Sequence, residues 1–353
     1  MRYHIKAGIV AAALLAVLTF GSEAKKPKNI ILLIGDGMGL EQVSCAWVAN
    51  KGSLNIDKMP VVGFHRTYSA NKLITDSGAG GTALACGEKT NYRSVGVDVN
   101  GKDLESVLAA AHKKGMKTGV AVTCRLSDAT PADFCAHNVN RGETDDIVAD
   151  YLESGADFIA GGGRSEFTNR KDGRNILEEF AAKGYAVCDE VDELAQTQSL
   201  PVIATVAESD MEEAALRGDS FQRIVEKGIK LLSEGGRKGF FLMIEGSRID
   251  DYCHSHDIDK AVAEMLDFDK AVGQALDFAR KDGNTLVVVT ADHSTGGLTL
   301  LGGDLKAGEL KVNFSTNGHN GIAVPYYVYG AGAENFGGIL ENADIGAKLK
   351  ALL

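Results

Sequence analysis

The hydrophobic pattern of the chain is that of buried strands separated by amphipathic helices. Residues 28–34 carry an unbroken apolar run, Ile30-Ile31-Leu32-Leu33-Ile34, which stops at Gly35-Asp36-Gly37-Met38-Gly39. A strand apolar on both faces belongs in a parallel sheet covered by helices on each side. Apolar positions recur at helical spacing over residues 104–114, 144–153, 175–183, 221–233, 257–280 and 343–352. Between them lie strand-like runs at 117–123, 158–159, 202–206, 239–244, 285–290 and 326–329. This alternation predicts an α/β fold: a doubly wound, mainly parallel central sheet with helices on both faces. No repeat, low-complexity linker or composition break marks a boundary, so residues 25–353 are read as one domain.

In such a sheet, ligands collect at the carboxyl ends of the strands. Three of the apolar runs end in metal-ligand types: 28–34 leads to Asp36, 239–244 to Glu245 and Asp250, and 285–290 to Asp292 and His293. One polar strand end is ordinary; three on one sheet edge form a pattern. The stretch Thr75-Asp76-Ser77-Gly78-Ala79-Gly80-Gly81-Thr82 reads as a turn entering a helix rich in glycine and alanine. It places the Ser77 hydroxyl at a helix N-terminus, where free N–H groups and the dipole favour an anion. Asp76 beside it disfavours a phosphate unless metal ions supply positive charge.

Asp250 and His254 are four apart and so share one face of a helical turn. Carboxylate with imidazole suits zinc, whereas the all-oxygen Glu245 suits a harder ion such as magnesium. His319 sits in the glycine-flanked turn Asn317-Gly318-His319-Asn320-Gly321, and His256 is offset by two from His254. His65, His112 and His137 have no ligand-like context. Arg141 follows a helix expected over 131–140. Its planar fork can grip two phosphate oxygens, and its ordinary alternative is a helix C-terminal arginine complementing the dipole.

Charge and composition narrow the function. A formal charge of -11 excludes the basic stripe of a nucleic-acid-binding surface. Arg2 and Lys6 precede an apolar run over 7–20, and Ser22-Glu23-Ala24 offers a small-x-small cleavage pattern. The expectation is a signal peptide over 1–24 and an exported protein, periplasmic or secreted, without a transmembrane anchor. The cysteines, Cys45, Cys86, Cys124, Cys135, Cys188 and Cys253, show no CxxC spacing. A Cys124–Cys135 disulfide and buried unpaired thiols both stay open.

Taken together, several separated motifs resemble the alkaline phosphatases, in that family's order. They are Gly35-Asp36-Gly37-Met38-Gly39, Thr75-Asp76-Ser77, Asp128-Ala129-Thr130-Pro131 with Arg141 beyond it, residues 240–246 with Asp250 and His254, Thr290-Ala291-Asp292-His293, and Gly318-His319. The glycine-rich run Gly161-Gly162-Gly163-Arg164 is also similar to one in that family. The resemblance implies hydrolysis of phosphate monoesters of broad leaving-group range through a phosphoserine on Ser77, with Arg141 holding the phosphate oxygens. It implies a first zinc on Asp250, His254 and His319 and a second on Asp36, Asp292 and His293. It also implies a magnesium on Asp36, Thr130 and Glu245, which Asp128 reaches through water. A metal-activated serine needs no Ser–His–Asp arrangement.

Other members of the same fold share the metal ligands, among them sulfatases, phosphodiesterases and cofactor-independent phosphoglycerate mutases. A sulfatase needs a modified Cys or Ser followed by Pro and Arg, which Ser77-Gly78-Ala79 lacks. The diesterases more often use threonine and lack the gripping arginine. An exported metal- or phosphate-binding protein without turnover needs a broken catalytic position, and none is broken. Asp251 stands where relatives often carry lysine, histidine or tryptophan, an extra carboxylate expected to weaken phosphate affinity and ease product release. Residues 294–318, only 25 in all, separate His293 from His319. That is too few for the surface insertion many members use in dimerisation, which leaves a homodimer open.

Overall fold

The structure is a computed structural model that describes residues 26–353, so the expected signal segment lies outside the described residues. The strands are β1 (Asn29–Gly35), β2 (Val61–Arg66), β3 (Lys117–Arg125), β4 (Phe158–Gly162), β5 (Ala186–Cys188), β6 (Val202–Thr205) and β7 (Phe240–Gly246). They continue with β8 (Thr285–Thr290), β9 (Ser294–Thr295), β10 (Leu298–Asp304), β11 (Glu309–Phe314), β12 (His319–Asn320), β13 (Val324–Gly330) and β14 (Gly338–Glu341). Ten of them form one sheet in the order β14-β2-β13-β8-β1-β7-β3-β4-β6-β5. All pairings are parallel except those of β13, which runs antiparallel to both neighbours. The expected doubly wound, mainly parallel α/β sheet is the one observed.

β1 shows why its sequence had to be apolar throughout. Ile30, Leu32 and Ile34 face a core shared with Leu84, Val107, Leu108, Ile345 and Leu349, from the helices Ser77–Cys86, Val107–Lys113 and Asn342–Leu352. Ile31 and Leu33 face the opposite core, with Phe221, Ile224, Phe268 and Val272 of the helices Ser220–Ser233 and Ile258–Asp282. Each such fully buried aliphatic side chain contributes about 1.5–3 kcal/mol relative to exposure. The strands that carry the candidate ligands are consecutive neighbours, β8, β1, β7 and β3. Their register aligns the ends: Ile34 lies opposite both Thr290 and Glu245, and Val122 opposite Glu245.

Several elements depart from the sequence expectation. The helix expected over 131–140 spans Ala129–Cys135, capped by Asp128, whose carboxylate accepts from the Ala129 N–H. Pro131 sits in its first turn, where a missing N–H costs nothing. β2, β14, the β10–β11 hairpin and the helix Leu40–Ala49 were not anticipated. In β2 the apolar pattern is interrupted by Gly63, which faces the Tyr326 ring so closely that a methyl group there would lie 2.3 Å from it. All six cysteines are buried and unpaired. Cys124 and Cys135 are not joined, and the Cys124 thiol lies 3.5 Å from Glu245 Oε2. No helix among the described residues is long and apolar enough to cross a membrane.

His65 of β2 is fully buried, with Nε2 2.9 Å from Thr290 Oγ1. Burial pushes its pKa down to about 4. The unfolded imidazole, near 6.5, takes a proton first, so its stabilising contribution is complete above 6.5 and lost as pH falls toward 4. Between pH 7 and 4.5 the parent is therefore expected to lose roughly 2 kcal/mol more than a His65→Gln variant, read from urea midpoints. Parallel acid limbs for the two proteins would refute this.

Candidate active site

The helix Ser77–Cys86 starts where it does because Asp76 caps it: Asp76 is extended, and its Oδ1 accepts from Ala79 N at 3.3 Å and Arg93 N at 2.9 Å. The helix is wholly buried, and its small residues let it approach the end of β8. A methyl at Gly80 would come within 2.9 Å of the Asp292 carbonyl oxygen. This approach brings Ser77 Oγ to 3.3 Å from His293 Nε2.

Two groups of ligand-type side chains surround that serine. Asp36, Asp292 and His293 place one ligand atom each within 4.8 Å of one another, and Asp250, His293 and His319 do the same. His293 Nε2 lies 3.1 Å from Asp292 Oδ2 and 3.4 Å from Asp36 Oδ1. His254 belongs with the second group: its Nε2 is 3.0 Å from Asp250 Oδ2 and 3.2 Å from His319 Nε2. The four-residue spacing of Asp250 and His254 acts as expected, since both lie on the helix Arg248–His254. His293 and His319 stack with ring centroids 3.6 Å apart, which puts His293 between the two groups.

The far sides of the imidazoles decide what their near sides offer. His254 Nδ1 is 2.5 Å from the Asn317 carbonyl oxygen, and His319 Nδ1 is 2.9 Å from that of Thr75. A carbonyl only accepts, so Nδ1 carries a hydrogen on each ring, and the Nε2 that faces the cluster is the atom that offers a lone pair to a cation once it gives up any proton of its own. The Thr295 hydroxyl donates to Asp250 Oδ1 and lies 3.3 Å from His293 Nδ1. Sequence reasoning missed Thr295, and the two carbonyls have no residue-type signal by which to find them.

The carboxylates leave atoms free in a way that fits cations. Asp292 Oδ1 accepts from the N–H groups of Gly37 (3.2 Å) and His293 (2.9 Å), while its Oδ2 is buried without a hydrogen bond. Asp36 Oδ1 and Thr130 Oγ1 are likewise buried and unpartnered. Such atoms carry a desolvation cost that a bound cation removes. Burial, then the charge of Asp292, pushes Asp36 well above the usual carboxylate range. Burial and Asp250 push Asp292 up to about 7, and burial with Asp128 raises Glu245. The hydrogen bond to Asp250 lifts His254 to about 9. Each raised carboxyl marks a place where the protein alone does not stabilise the negative charge.

Arg141 completes the site from an unexpected direction. It is carried by a loop whose Asn138 bridges Val95, with its own N–H donated to the Arg93 carbonyl at 2.8 Å. It does not end a helix, so the dipole-complementing alternative falls away. Its Nη1 reaches Asp76 Oδ2 at 3.1 Å and its Nη2 reaches Asp128 Oδ1 at 2.7 Å. Asp251 is half-exposed and paired with Arg248 Nε at 3.2 Å. Arg248 offsets its charge, which removes the lone extra carboxylate on which the expected weakening of phosphate affinity rested. His256 stacks on Phe314 and bonds the Thr316 carbonyl, away from both groups.

A family model described as alkaline phosphatase matches residues 27–310. Alkaline phosphatase 4 of Bacillus subtilis is 37% identical over 319 residues, covering 84% of this chain. The chain spans 68% of the length of that protein and 62% of that of alkaline phosphatase 3 from the same organism. The Escherichia coli alkaline phosphatase is 31% identical, with 93% of this chain and 86% of that one covered. Among solved structures, the alkaline phosphatase of the Antarctic bacterium TAB5 superposes with a TM-score of 0.88 at 36% identity, covering 94% of this chain and 98% of that one. A variant of the TAB5 enzyme holds magnesium in its M3 site. With a family match along most of its length and relatives above 30% identity, the chain belongs to the alkaline phosphatase family of phosphate-monoester hydrolases.

Proposed function

We propose that the chain turns over monoesters of broad leaving-group range through a phosphoserine on Ser77. The carrying observation is that Ser77 Oγ meets two carboxylate–imidazole groups whose buried oxygens, Asp36 Oδ1 and Asp292 Oδ2, accept no hydrogen bond and face only the His293 imidazole. Asp250, His254 and His319 would hold one zinc, and Asp36, Asp292 and His293 a second. Asp36, Thr130 and Glu245 would hold a magnesium, with Asp128 reaching it through water. When bound, the ions supply Lewis acidity to the serine hydroxyl, the leaving oxygen and the attacking water.

The chain's own groups supply the rest. Ser77 Oγ gives up its proton and forms the new P–O bond as the ester P–O bond breaks and the leaving oxygen departs as the protonated alcohol. Water then attacks the phosphorus, the Ser77 P–O bond breaks, and one water proton restores the serine hydroxyl as inorganic phosphate is released. The transition state is loose, so positioning and charge neutralisation are the protein's main tasks. Arg141, already aimed between Asp76 and Asp128, would grip two phosphate oxygens, and the N-terminal dipole of the helix Ser77–Cys86 would favour the same anion. Neither contact reads the leaving group, which accounts for a broad monoester range.

The deciding experiment compares a monoester, a diester and a sulfate ester on zinc- and magnesium-loaded protein. Monoester turnover that does not exceed the other two would overturn the reading. Arg141→Ala is expected to lower kcat/KM by about 10²-fold, mostly through KM, and Arg141→Lys to recover only part of that because lysine lacks the fork. An Arg141→Lys variant equal to the parent would refute the bidentate role.

We further infer that residues 25–353 act as one catalytic domain of an exported protein, periplasmic or secreted, after cleavage of residues 1–24. Val62 and Phe64 on β2 and Ile339 on β14 are exposed, with Phe64 and Ile339 paired in register. Such an apolar sheet edge supports a homodimer, and a monomer mass in sedimentation equilibrium would overturn it.

A further inference from the structure

Arg125, the last residue of β3, ties Asp128 to two carboxylates from outside the site. Its Nη2 lies 3.4 Å from Asp128 Oδ2, its Nη1 3.4 Å from both oxygens of Asp210, and its Nε 3.8 Å from Glu166 Oε1. Asp210 Oδ1 also accepts from the Arg125 backbone N–H at 2.9 Å, and the Ser127 hydroxyl donates to Glu166. Glu166 comes from the short helix Arg164–Thr168 after β4, and Asp210 from the loop after β6. On its other side, Asp128 is the acceptor for Arg141 Nη2, while Arg141 Nη1 reaches Asp76. Charges therefore alternate along a row: Asp76, Arg141, Asp128, Arg125, then Asp210 with Glu166.

We propose that Arg125 is a positioning residue for phosphate binding: it shares the charge of Asp128, so that Arg141 can release Asp128 Oδ1 and turn that N–H to a phosphate oxygen. The inference rests on the reading of Arg141 as the phosphate clamp. Each terminal nitrogen of the Arg141 fork gives one of its two N–H groups to a carboxylate, so a phosphate gripping the fork competes with Asp128 for the orientation of Nη2. A carboxylate shared between two guanidiniums is the weaker competitor, and its repulsion of the phosphate is partly offset. Arg125 itself stays in place, because three carboxylates surround it and its backbone is tied to Asp210.

The test is calorimetric titration of inorganic phosphate into zinc- and magnesium-loaded protein, run beside steady-state kinetics. Arg125→Gln is expected to weaken phosphate binding and raise KM by about fivefold to tenfold each, with kcat unchanged or raised. Arg125→Lys keeps the charge and recovers most of the affinity. In an Asp128→Asn background, Arg125→Gln shifts the phosphate Kd by less than about twofold, because the charge it offsets is gone. Unchanged phosphate affinity in Arg125→Gln, or equal weakening in the Asp128→Asn background, overturns the proposal. So does a fall in kcat and thermal midpoint at constant phosphate Kd, which marks Arg125 as a loop anchor. A parent protein that binds no phosphate sinks the clamp reading, and this inference with it.

Discussion

Ser77→Ala protein, loaded with zinc and magnesium, is expected to lose at least about 10³-fold in kcat/KM toward a phosphate monoester, equivalent to roughly 4 kcal/mol of transition-state stabilisation. Neither neighbouring hydroxyl can substitute. The Thr75 hydroxyl donates to the Asp76 carbonyl at 3.0 Å, and that of Thr295 is committed to Asp250. The variant should keep its fold, because the cap of the helix Ser77–Cys86 is the Asp76 side chain and not the serine. Thermal midpoints of parent and variant should agree within about 1 kcal/mol of equivalent stability. Loss of turnover at constant stability therefore isolates the nucleophile. A second readout is independent of rate: acid quenching during turnover should trap a phosphoprotein in the parent and none in Ser77→Ala. More than a tenth of parental activity in the variant, or a trapped phosphoprotein that survives the substitution, would assign the nucleophile elsewhere.

The parts of this site that were legible from sequence share one physical cause. β1, β7 and β8 are covered by helices on both faces, so they read as unbroken apolar runs, and the first polar residues after each run mark the sheet edge. Asp36, Glu245, Asp250, Asp292 and His293 were found that way. Asp250 and His254 were legible as a pair because a helical turn fixes their shared face. Arg141 was found as a residue but not as a geometry. Pro131 looked like a helix start, whereas Asp128 caps the helix three residues earlier and the chain is already extended at Ala136. The β10–β11 hairpin and β14 lie largely open to solvent; β11 does alternate Leu310, Val312 and Phe314 with polar residues and packs them against Cys45, Val262 and Leu298, a period-two signal that was missed beside the longer buried runs. The carbonyls of Thr75 and Asn317 orient two imidazoles through the backbone, which leaves no trace in residue type. The row from Asp76 to Asp210 joins five segments of chain, a product of the fold and not of spacing.

Chelation is expected to abolish turnover and to lower thermal stability by an amount that grows with pH. Stripped protein keeps Asp292 with its pKa pushed up to about 7 by burial and Asp250, above its ordinary unfolded value near 3.9. A group raised in the folded state binds more protons folded than unfolded, so its contribution is lost as pH climbs through the folded value. His254, raised to about 9 by its bond to Asp250, loses its contribution in the same direction as pH climbs further. His293 is lowered by burial and acts oppositely, but only below the unfolded imidazole value near 6.5. Between pH 6.5 and 9, therefore, the stripped protein should become less stable as pH rises, with Asp292 alone accounting for about 1 kcal/mol. In loaded protein the ligands are already deprotonated and bound ions compensate the carboxylates, so the same interval should be nearly flat. Thermal unfolding of stripped and loaded protein at pH 6.5 and pH 9 measures the two gaps. A gap that narrows with pH, or monoester turnover that survives chelation, would mean that Asp36, Asp250, Asp292 and the three histidines are not held together by metal.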